Sequence, residues 1–192
     1  MIFIKFLVIE GDNGTGKDTL AQNICLNGFD ILTYDNEIRL SENNAKKSQG
    51  EEKIEKFLEY NQLCSDYVNQ KNNNVILIRY WISTLCASYA DNIYSYEKVI
   101  SLSNELLNKL IKPDAIIRLT CNHSNRVNRI IKRKFGLDDV TLERAKKYEY
   151  ISMEILNIIN VNFIQIDTTN KSIMEVYDEA IKYLKSEGII ND

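Results

Sequence analysis

A nearly unbroken apolar run, Ile2 to Ile9, leads through Glu10 into Gly11-Asp12-Asn13-Gly14-Thr15-Gly16-Lys17-Asp18-Thr19. No other stretch of the chain restricts its fold as much. Continuous apolarity fits a central parallel strand covered on both faces, where alternation with polar residues is not required. The spacing G-x-x-x-x-G-K at the end of such a strand is the signature of a loop that cradles phosphate. Glycines at 11, 14 and 16 allow the backbone to wrap its N–H groups around phosphate oxygens, and a helix starting near Lys17 points its positive end at the same place. Gly11 to Thr19 is therefore the expected site for the phosphates of ATP, with Lys17 bridging the β- and γ-phosphates. One position departs from the pattern. Asp18 stands where a Ser or Thr hydroxyl usually contacts Mg²⁺, so Thr19 is left to offer a hydroxyl to phosphate and Asp18 to hold the metal through water.

The remaining pattern alternates short apolar runs with helical spacing. Strands are expected at 31–34, at Val75 to Ile78, at Ala115 to Leu119 and at Val161 to Ile166. Helical periodicity covers 17–26, 51–70, 83–91, 96–111, 124–134 and 141–159, and a final amphipathic helix carries Ile173, Val176, Ala180 and Leu184. The polar stretch from Asp35 to Gly50 reads as loop with at most a helical turn. Strands alternating with helices specify an α/β fold with a parallel five-stranded sheet and helices on both faces. At 192 residues the chain has the size of one domain.

Composition narrows the partners. A net charge of −3, with no dense basic block, argues against polynucleotide. Cys25, Cys64, Cys86 and Cys121 are scattered without a CxxC pair, which fits reduced thiols in a cytoplasmic protein rather than a metal site or disulfide framework. The apolar start is too short to span a membrane.

With these residues in view, the chain resembles the thymidylate kinases, among the nucleoside and nucleoside monophosphate kinases of P-loop fold. The first strand and loop carry that likeness, with Asn13 in place of a common Asp or Glu. Arg79-Tyr80-Trp81-Ile82-Ser83-Thr84 resembles the family's Asp-Arg-Tyr motif and the Ser-Thr pair after it, with Ile78 in place of the Asp. The resemblance implies that Arg79, with Tyr80 beside it, holds the acceptor phosphate. Phe57-Leu58-Glu59-Tyr60-Asn61 resembles a Phe-x-x-x-Arg stretch in which the ring stacks on the acceptor base and the arginine hydrogen-bonds it; Asn61 replaces that arginine. Lys112-Pro113-Asp114 looks like the family's entry to the fourth strand. The basic segment beyond it resembles a short helical lid at about 122–140. Arg129 and Arg133 best match its arginine pair, with Arg126 and Lys132 nearby.

The resemblance thus implies a three-layer P-loop kinase that moves a phosphoryl group from ATP, with Mg²⁺, to a nucleoside monophosphate such as dTMP or a related deoxynucleotide. Lys17, Arg79, Arg129 and Arg133 would neutralise the transferring charge. It also implies a homodimer. Changes at the acceptor end keep two alternatives open: a kinase for a nucleoside or modified nucleotide, and a nucleotide-binding module that has lost transfer.

Overall fold

The computed structural model describes residues 4–32, 35–132 and 141–190. Five parallel strands form one sheet: β1 (Phe6–Glu10), β2 (Phe29–Ile31), β3 (Asn74–Ile78), β4 (Ala115–Thr120) and β5 (Phe163–Asp167), in the order β2-β3-β1-β4-β5. β1 is central as expected, with β3 on one side and β4 on the other. The chain therefore leaves β1 in opposite directions, and the crevice above the carboxyl ends of β1, β3 and β4 is where such a sheet binds ligands.

Around the sheet lie α1 (Lys17–Ile24), α2 (Asn36–Lys47), α3 (Gly50–Gln70), α4 (Trp81–Ala90), α5 (Tyr96–Lys109), α6 (His123–Lys132), α7 (Leu142–Ile159) and α8 (Ile173–Ser186). The two-residue period of the strands sorts the core into two layers. Leu7 and Ile9 of β1 pack with Ile76, Ile117 and Leu119 against Leu20, Ile24, Ala180 and Leu184 of α1 and α8. Phe6 and Val8 face the other way, with Val75, Leu77 and Ile116, into a larger cluster built on α3, α4, α5 and α7. Glu10 is in phase with Phe6 and Val8, so it points into this second layer.

Two expectations need correction. The segment read as loop from Asp35 to Gly50 is mostly α2. The Asp35 carboxylate accepts from the Glu37 N–H at 3.1 Å, Glu37 sits in the first turn, and Lys46 and Lys47 close the last. Only Ile38 and Ala45 of this helix are buried, a stripe too thin for apolar periodicity to reveal. The second strand is Phe29–Ile31, earlier than expected, and the rest of its expected span, 33–34, lies outside the described residues. Among the described residues no helix is long and apolar enough to cross a membrane.

Candidate active site

Gly11, Gly14 and Gly16 adopt φ of 139°, 79° and 100°, in the region that favours glycine. Gly11 is required on a second count, since a Cβ there would lie 2.3 Å from the Leu119 carbonyl oxygen. The loop so formed delivers α1 with no side-chain cap at Gly16, whereas α2, α5, α7 and α8 all begin with a capping side chain. The first-turn N–H groups of α1 are thus left for a ligand, beside the backbone amides of the loop. Lys17 is 4% exposed, and its Nζ donates to the Asp12 carbonyl at 2.8 Å. Burial, and secondarily the Arg79 guanidinium, hold its pKa well below the ordinary lysine value. Asp18 is exposed in the first turn and Thr19 is half-buried.

Arginines brace the outside of this loop. Arg126 of α6, itself buried, donates to the Asn13 carbonyl at 3.0 Å and pairs with the Asp12 carboxylate at 2.5 Å. Arg129 donates to the Gly14 carbonyl at 3.3 Å and to the side chain and carbonyl of Thr168 at 2.9 and 2.8 Å. Arg144, in the first turn of α7, reaches the other Asp12 oxygen at 3.4 Å and Asp91 at 2.6 Å. Two guanidinium groups thus hold carbonyl oxygens of the loop. Arg129, expected as half of a lid pair, is instead fastened to the loop's outer side. Arg133 and the end of the expected lid, 133–140, lie outside the described residues.

At the carboxyl end of β3, Arg79 has φ of 67°, an uncommon value for a residue with a side chain. Its guanidinium donates to the Asn13 side-chain oxygen at 2.6 Å, so the expected acceptor arginine and the phosphate loop meet directly. Beneath them sits Glu10, 2% exposed, its carboxylate accepting from the Tyr80 N–H at 2.9 Å and from the Ser83 hydroxyl. Tyr148 donates to that hydroxyl at 3.1 Å. Burial raises the pKa of Glu10, while Ser83, the Tyr80 N–H, Arg79 and Lys17 oppose the rise. Next to Glu10 in register, Arg118 is 2% exposed and bonds Ser152 at 3.0 and 2.7 Å, Glu149 at 2.6 Å and Gln165.

Two expected acceptor contacts are not where the resemblance placed them. Asn61 is 1% exposed, and its amide donates to Thr84 Oγ1 at 2.9 Å, so it joins α3 to α4 inside the protein. Tyr80 is equally buried: its ring stands edge-on to Phe6 and its hydroxyl reaches the Ile111 carbonyl at 3.3 Å. It is a core residue. Phe57 is half-buried at the edge of the same core, edge-on to Tyr60. A cleft of about 870 Å³, open to solvent, is lined by residues of α2 and α3 and includes none of the loop. Its lining is of mixed charge, including Glu37, Glu52, Lys47 and Lys56, with Leu40, Ala45 and Leu63 among them.

Glu10, Arg118, Arg144 and Tyr148 were missed in the sequence. For the first two a signal existed, because a charged side chain at a core-facing position of a buried strand must have a partner.

No family model matches the chain. A curated relative, a probable thymidylate kinase of Methanocaldococcus jannaschii, is 26% identical over 97% of this chain and 98% of its own length. The solved thymidylate kinase of Candida albicans matches 98% of this chain and 96% of its own at a TM-score of 0.71 and 21% identity. A deoxyadenosine kinase from M. mycoides matches 94% and 99% at 0.67 and 18% identity, and the thymidylate kinase of Ehrlichia chaffeensis 95% and 100% at 0.68 and 17%. The structural likenesses establish the fold. That fold is the one the solved thymidylate kinases have, and the curated relative to which this chain is similar end to end is described as a probable thymidylate kinase.

Proposed function

We propose that this protein transfers the γ-phosphoryl group of ATP to the phosphate of a nucleoside monophosphate, with dTMP or a related deoxynucleotide as acceptor. One observation carries the reading. Lys17 and Arg79, delivered by the adjacent strands β1 and β3, meet at the phosphate loop, where the Arg79 guanidinium donates to the Asn13 side-chain oxygen at 2.6 Å. Two cations held in one crevice call for two anions, one on the donor and one on the acceptor.

In the reaction the bond between the γ-phosphorus and the β–γ bridging oxygen breaks as an acceptor phosphate oxygen bonds to that phosphorus, giving ADP and a nucleoside diphosphate. The attacking oxygen is already anionic, so no side chain need take its proton. The protein's part is alignment and neutralisation of charge. Lys17 and the loop amides hold the donor phosphates, and Arg79 meets the acceptor phosphate with a guanidinium fork. Asp18 and Thr19 fit an ion that arrives with ATP, because an exposed carboxylate beside a half-buried hydroxyl can bind it through water. Such an ion would withdraw charge from the β- and γ-phosphates.

The test is ADP release over a panel of deoxynucleoside monophosphates and deoxynucleosides. Wild-type protein should use a monophosphate, and Arg79→Ala should raise KM for every phosphorylated acceptor by at least about tenfold, the worth of a charged hydrogen bond, with ATP affinity little changed. Turnover of unphosphorylated deoxynucleosides alone would hand the acceptor site to a nucleoside. Binding of ATP without turnover of any acceptor would leave only a nucleotide-binding module.

A further inference from the structure

We propose that Glu10 is a positioning residue for the acceptor arginine: it holds the left-handed turn that aims Arg79. The inference rests on the reading of Arg79 as the group that meets the acceptor phosphate.

The turn at Arg79 is strained. A φ of 67° on a residue with a Cβ costs about 1–2 kcal/mol, and such a conformation persists only where its surroundings fix it. Two bonds do so. Arg79 itself donates its N–H to the Ile9 carbonyl at 3.0 Å, which continues the β1–β3 ladder by one residue. The next N–H, that of Tyr80, turns inward and finds the Glu10 carboxylate at 2.9 Å. α4 begins immediately afterwards with no capping side chain of its own. Glu10, reaching across from β1, supplies that cap, and its second oxygen takes the Ser83 hydroxyl from the first turn of the same helix. One carboxylate therefore fixes both sides of the corner between Arg79 and α4.

Burying a carboxylate costs several kcal/mol unless it is paired or hydrogen-bonded. Glu10 is fully hydrogen-bonded to the corner and lies below the two cations of the crevice, both of which favour its charged form. Its bonds, however, go to the corner and not to Lys17, whose Nζ is held by the Asp12 carbonyl. Loss of the carboxylate strands the buried Tyr80 N–H and releases the turn, so the guanidinium loses its direction while the donor loop keeps its own bonds.

The test measures binding of thymidine, deoxycytidine, deoxyadenosine and deoxyguanosine monophosphates, and separately of ATP, to wild type, Glu10→Ala, Glu10→Gln, Arg79→Ala and the Glu10→Ala/Arg79→Ala double variant. Glu10→Ala should weaken monophosphate binding about tenfold, the worth of one charged hydrogen bond, and leave ATP binding within about twofold. Glu10→Gln, whose side-chain oxygen can still accept from Tyr80, should recover most of the loss. In the Arg79→Ala background the Glu10 change should add nothing, because it acts through the arginine. Should Glu10→Ala not fold, Glu10→Asp takes its place; one methylene short of the Tyr80 N–H, it should shift affinities in the same direction. Equal weakening of ATP and monophosphate, or an undiminished effect when Arg79 is absent, overturns the proposal and makes Glu10 a plain structural counter-ion. Wild-type protein that binds no monophosphate overturns this proposal and the acceptor reading together; a wild type that binds one, with Glu10 variants that fail the cycle, overturns this proposal alone.

Discussion

The proposed donor half of the crevice and the proposed acceptor half are built by different means. The donor half is backbone. Three glycines set its path, α1 offers uncapped N–H groups, and Arg126 and Arg129 fasten its outer carbonyls. The acceptor half depends on side chains from β3, α3 and α4, and of the residues expected there only Arg79 and Phe57 keep partial exposure. Asn61 and Tyr80 are buried in the core. A phosphate is the same on every nucleotide, so a rigid backbone cradle suits it. An acceptor base varies, and its reader can change one side chain at a time.

The sharpest way to break this comparison is Lys17→Ala. Removing the cation from a water-poor crevice should lower turnover by about 10² to 10³-fold, the scale of losing one group that stabilises developing charge. ADP release is the measurement, and turnover above about a tenth of wild type would show that the loop is not the donor site.

Next in size is Arg129→Ala. Because its guanidinium holds the Gly14 carbonyl and Thr168, the variant should weaken ATP by about tenfold, as for a lost charged hydrogen bond, while monophosphate affinity stays level. Calorimetric titration with each ligand separates the two. A loss of turnover with ATP affinity intact would return Arg129 to the lid role that its sequence position suggested.

Asn61→Ala should act on stability rather than selectivity. It removes the buried donor to Thr84 Oγ1 at 2.9 Å, at a cost of about 1–2 kcal/mol, read as a lower urea midpoint. Ratios of kcat/KM across the acceptor panel should hold. Altered ratios with an unchanged midpoint would move Asn61 back into the acceptor site.

The smallest effect is protonic. With the Lys17 pKa depressed by burial and by Arg79, bound phosphate favours the charged amine and raises that pKa again. ATP binding should therefore take up a fraction of a proton between the depressed pKa and the ordinary value near 10.5, and affinity should fall as pH rises through that window. Titration in two buffers of different ionisation enthalpy measures the uptake, and Lys17→Ala should abolish it.

By itself the sequence determined the sheet, its central strand and the phosphate loop, since each depends on neighbours in the chain. Apolar runs become buried strands, and the glycine spacing around Lys17 admits one kind of turn. It also marked Arg79 as lying at the carboxyl end of a buried strand. It did not reveal α2, whose stability comes from Asp35 at its start and a thin contact at Ile38 and Ala45 rather than from a broad apolar face. Nor did it reveal that Arg126 and Arg144 meet on Asp12, or that Glu10 caps a helix beginning at Trp81. Those pairings join residues far apart in the chain. Strand register and helix placement bring them together, and because a buried charge must find its partner wherever the fold has put one, only the tertiary structure could decide which partner each would take.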